Sequence, residues 1–144
     1  MALADLNPRS TAKYFFGADQ TGNEGKLLTL KISDTSATGV PTLKLATSAT
    51  ELPVAVVVVG AASDSGSYPG AATSCEVYDS LIGCFDGAIA GAGGVTNGVA
   101  VECDGNGTFI TATPGAGTYI VGYALTDAAA GEQFTIKFAT QLCF

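Results

Sequence analysis

The chain has 144 residues, of which 47% are hydrophobic and only 13% charged, with 19 glycines, a net charge of −7 and no histidine. That length suits one domain able to bury about two thirds of its unfolded surface. The balance excludes a basic stripe for nucleic acid and a broad phosphate-binding face, and it removes histidine as general base, metal ligand or pH switch.

Residues 1–16 differ in character from the rest of the chain. Asn7-Pro8 interrupts local structure, Pro8 is incompatible with a central strand, and Arg9 and Lys13 are two of only six basic residues. The segment reads as an extended N-terminal arm with Leu3, Leu6, Tyr14, Phe15 and Phe16 as apolar anchors. Sixteen extended residues reach roughly 50 Å, enough to cross a neighbouring subunit and add a strand to a sheet edge. A frayed terminus is the plainer alternative. The segment lacks the basic start and apolar core of a secretory signal, and the apolar run 54–59 is too short to span a bilayer, so no membrane partner is expected.

Residues 17–144 are expected to form a single β-domain. Lys26 to Ile32 alternates as a strand, with Leu28, Leu30 and Ile32 on its inner face. Leu43-Lys44-Leu45 reads as a short edge strand guarded by its lysine. Thr47 to Leu52 is compatible with one short helical turn. Pro53 introduces Val54 to Val59, a strand covered on both faces, and Ala61 to Thr73 is an exposed Gly/Ser/Ala loop with a Pro69-Gly70 turn. Glu76-Val77-Tyr78 opens the next strand, and Leu81 to Phe85 comes after a bend. The glycines at 91, 93 and 94 are not followed by the Lys-Ser/Thr and helix of a phosphate loop.

Asp104-Gly105-Asn106-Gly107 joins Val99–Cys103 to Thr108–Ala112 and is the clearest hairpin turn of the chain. Beyond Gly117, Tyr119 to Leu125 carries its larger side chains at every second position. After a small-residue loop, Phe134, Ile136, Phe138, Leu142 and Phe144 share one face, the keel on which the other strands pack. The cadence of strand and turn predicts an all-β domain, a small barrel or sandwich with at most one short helix.

The four cysteines show no C-x-x-C spacing, which argues against zinc. Cys103 is expected in the core and Cys143 as the most accessible thiol. A Cys75–Cys84 bridge fits a hairpin, but four cysteines allow three full pairings; without a signal peptide, reduced thiols are expected. No nucleophile–base set is found. Glu102 and Asp104 flank a turn, where acids are ordinary, and the turn lacks the further carboxylates of a calcium loop. No enzyme, cofactor, metal or small-molecule substrate is expected.

The succession Pro53-Val54-Ala55-Val56, Gly94-Val95-Thr96-Asn97-Gly98-Val99, Asp104-Gly105-Asn106-Gly107 and Ile120-Val121-Gly122-Tyr123-Ala124-Leu125, followed by Ala130-Gly131-Glu132, resembles the small capsid decoration (cement or head-stabilising) proteins of tailed bacteriophages. It covers roughly residues 52–138; the long 61–73 loop and the cysteines depart from the pattern. The resemblance implies a β-domain on the capsid exterior, present in host cytoplasm during assembly. It further implies a homotrimer whose partner is the major capsid protein, gripped by the arm through Leu3, Leu6, Pro8, Arg9, Lys13, Tyr14, Phe15 and Phe16. The competing readings are a secreted carbohydrate-binding or adhesin-like module, using Tyr68, Tyr78 and the glycine-rich loops, and a phage tail or fibre component.

Overall fold

The structure, a computed structural model, describes residues 11–16, 20–35, 41–62, 73–78 and 81–144. Among them it is all-β, without a helix, and has two layers. The first contains β1 (Thr11–Phe16), β2 (Leu27–Thr35), β3 (Pro41–Leu45), β4 (Ala55–Ala62) and β5 (Thr73–Tyr78) in the order β1-β3-β2-β4-β5. All its pairs are antiparallel except β1/β3, a short parallel contact at Phe15/Thr42 and Phe16/Leu43. Because β1 also pairs with β5 over its whole length, that contact carries the sheet round to its own edge and closes a five-stranded ring. The second layer contains β6 (Cys84–Ile89), β7 (Ala100–Cys103), β8 (Phe109–Thr111), β9 (Tyr119–Ala124) and β10 (Gln133–Leu142) in the order β6-β10-β9-β7-β8. An Ala90–Phe109 bridge draws its two edges together.

Strand periodicity divides the core. Successive side chains point to opposite faces, so Leu28, Ala55, Val57 and Val77 join Leu43 in a cluster of the first layer alone. Their neighbours Leu27, Val56 and Tyr78 point the other way and meet Phe85, Val101, Phe109, Phe134, Ile136 and Phe138 of the second layer. There Tyr78 lies 5.7 Å from Phe85 and 5.6 Å from Phe138, and Phe109 meets Phe134 edge-on at 5.8 Å. The expected two-sided cover of the 54–59 strand holds for Ala55, Val56 and Val57, while Val58 is exposed.

Backbone bonds weld the layers. The Gly25 N–H donates to Val57 O (2.8 Å) of β4, and the Ile89 N–H of β6 donates to Gly25 O (3.2 Å). In the same way the Leu27 N–H reaches Gly107 O (2.7 Å) in the β7–β8 turn. That turn forms as the sequence predicts, with Gly107 at φ +73°.

Four expectations change. β3 is not an edge strand, because β2 and β1 flank it. Thr47–Leu52 is a side-chain-stapled turn rather than a helical one. The Glu51 carboxylate accepts the Thr47 N–H (2.7 Å) and pairs with Lys44 (2.5 Å), bonds that replace a helical ladder. The keel ends at Phe138: a bulge between Phe138 and Gln141 adds one residue to β10, so Leu142 and Phe144 emerge into solvent. On β9 the covered face holds the small residues Gly122 and Ala124, opposite Phe138 and Ile136, and the larger Tyr123 and Leu125 stand outside.

Glu51 also sets an acid response. Burial pushes its carboxyl up, but Lys44 and the Thr47 N–H outweigh burial and hold it below the ordinary value. Its stabilisation is therefore complete above the unfolded-state pKa and lost as pH falls through the folded one. Glu51→Gln should flatten the acid side of the stability–pH curve, read by urea midpoints across that range.

Candidate functional site

The sequence placed the site on the arm. Leu3, Leu6, Pro8 and Arg9 lie outside the described residues. Lys13, Tyr14, Phe15 and Phe16 lie on β1, paired with Glu76, Cys75, Ser74 and Thr73 of β5. The second part of the expected 1–16 arm is thus a strand of the domain, and the backbone groups that would reach a foreign sheet edge are engaged on β5 and, at Phe15 and Phe16, on β3.

The carboxylates at the β7–β8 hairpin serve different ends. Asp104 Oδ1 accepts the Asn106 N–H (2.7 Å) and the Thr108 N–H (3.2 Å), and its Oδ2 accepts the Thr108 hydroxyl, so the turn consumes its hydrogen-bonding capacity. Beside it an open groove of about 560 Å³ runs between the layers, lined by Lys26, Leu45, Ile89 and Ala130 among others. The Lys26 amine is held by Asn23 Oδ1 at 2.9 Å. Among the described residues no three His, Cys, Asp or Glu side chains converge as metal ligands, and no helix is long and apolar enough to cross a membrane. Glu102 is different: it is 8% exposed and its Oε2 has no hydrogen-bond partner.

The thiols are also sorted by the fold. Cys84, Cys103 and Cys143 are free, so the Cys75–Cys84 bridge is not formed. Cys84 is exposed and Cys143 only half-buried, which reverses the expected order of accessibility; Cys103 lies in the core as expected. Burial, and then the Asp104 carboxylate, push the Cys103 thiol up to about 12. A thiol reagent added to native protein at mildly alkaline pH should modify Cys84 first and leave Cys103 untouched until denaturant is added, as read by mass spectrometry of peptides. Early labelling of Cys103 would contradict its burial.

What remains is a surface. Cys84, Lys137, Tyr123 and Ala100 are successive cross-strand partners on β6, β10, β9 and β7, a row across the outer face of the second layer. Tyr123 and Leu125 are each 40% exposed. Elsewhere Leu52, Val58, Ile82, Leu142 and Phe144 also present apolar side chains to solvent. Sequence reasoning missed the Tyr123 row because alternation reports two faces without saying which is covered. Tyr78, offered as part of a sugar-binding surface, is 1% exposed and stacked in the core, and cannot contact a ligand there. No protein-family model matches the chain, and no curated protein is found to match it.

Proposed function

We propose that this protein is a structural, non-catalytic one that decorates the outside of a phage head, bridging major capsid protein subunits and bracing the expanded shell as a homotrimer. The observation that carries the reading is the apolar surface on a cross-linked β scaffold: exposed Tyr123, Leu125, Ile82 and Leu142 project from strands and turns whose backbones are tied together. Such side chains on a sparsely charged domain suit burial against another protein. The sequence resemblance supplies the shell as that protein. Many copies acting on one particle need only a modest contact each.

Electron microscopy of purified virions should place the protein on the head exterior; virions that lack it overturn the reading. The arm makes a finer test. Deleting residues 1–10 spares β1 and should leave a folded domain that no longer coats heads. Deleting 1–16 also removes the strand that closes the first layer and should abolish folding, as read by circular dichroism and protease resistance. Normal head occupancy by the shorter truncation would remove the arm from the proposal.

A further inference from the structure

We infer that the outer face of the second layer, centred on Tyr123, is a contact between two copies of this chain related by a two-fold axis. The inference stands on that face alone and not on the capsid reading. An exposed sheet face normally alternates to polar residues, yet here Tyr123 and Leu125 lie open on β9. The chain as a whole carries −7, which opposes self-contact over most of its surface. This face differs, because Lys137 stands directly beside Tyr123 on β10 and Asp86 is bonded to Thr135 one row away.

The second observation is Glu102. It lies two residues along β7 from Ala100, the partner of Tyr123, so strand alternation puts it on this same face. Its Oε2 is buried without a donor, a costly state for a carboxylate oxygen that calls for a partner. Lys137 makes no hydrogen bond or ion pair among the described residues. Within one copy, two strand spacings of about 4.8 Å separate β10 from β7, with β9 between them. Face-to-face stacking about a two-fold axis running along β9 exchanges those sides: β10 of one copy lies over β7 of the other. Each Lys137 then approaches the other copy's Glu102, twice per contact, and the two Tyr123 rings meet near the axis. A self-complementary patch of this kind, base on one side and acid on the other of an aromatic centre, is what an isologous contact requires.

The test is the mass in solution, by sedimentation equilibrium of the full chain. The expected mass is an even multiple of the monomer, and Tyr123→Asp should halve it while leaving the circular dichroism spectrum unchanged. Lys137→Glu should weaken association about tenfold or more. Tyr123→Cys should give a covalent pair on mild oxidation, because the substituted residues lie near the axis. A monomer at all concentrations, or an oligomer (a trimer included) whose mass Tyr123→Asp leaves unchanged, would overturn the inference.

Discussion

Gly25→Ala is expected to destabilise the domain by about 3–5 kcal/mol, while Gly22→Ala, three residues earlier, costs about 1–2 kcal/mol. The two glycines have almost the same backbone conformation, φ +81° and +82°, so the left-handed penalty on a Cβ is common to both. Their surroundings differ. A Cβ on Gly22 meets nothing within 4 Å, whereas one on Gly25 runs into the Gly87 carbonyl oxygen and lies 3.0 Å from Ile89 Cγ1. The Gly87 oxygen is backbone and cannot swing aside, so relief requires moving β6 away from β4. That movement breaks the Gly25 bonds to Val57 and Ile89 which join the layers. Urea unfolding of the two variants, compared at equal slope, isolates the contact between layers from the backbone penalty. Equal midpoints would mean that the layers are not held at Gly25.

Phe134→Ala should cost about 3–5 kcal/mol, and Phe144→Ala less than about 0.5 kcal/mol. Both phenylalanines occupy even positions of the last strand pattern and share a face in an unbroken strand. Phe134 is 2% exposed, edge-on to Phe109, in the cluster between layers, and its removal leaves a cavity lined by side chains already fixed from both sides. Phe144 is fully solvent-exposed beyond the bulge and removes no packing when truncated. Thermal or urea midpoints measure both. A large loss for Phe144→Ala would show that the keel continues past Phe138 and that the bulge is misplaced.

The candidate surface was the least legible part of the chain. Residues 3–16 attracted attention because their composition changes abruptly, yet Lys13 to Phe16 pair along β5. The row from Cys84 to Ala100 comes from four strands spread over the second half of the sequence, and no local pattern announces it. Glu102 stood out in the sequence as a turn-flanking acid; only the packed structure reveals that one of its oxygens is buried and unpaired.

The chain's residues alone determined the all-β class, the Asp104–Gly107 hairpin, the burial of Cys103 and the core role of Phe134, Ile136 and Phe138. Each rests on interactions spanning a few residues: the period-two alternation of a strand, and positive φ supplied by glycine at a tight turn. Tertiary structure decided that β3 is flanked on both sides, that β1 closes the first layer, that Cys84 is more open than Cys143, and that Tyr123 rather than Gly122 faces outward. Alternation sorts residues into two sets but carries no sign. The sign is set by which face meets another layer, and a single inserted residue on β10 reverses it from Gln141 onward.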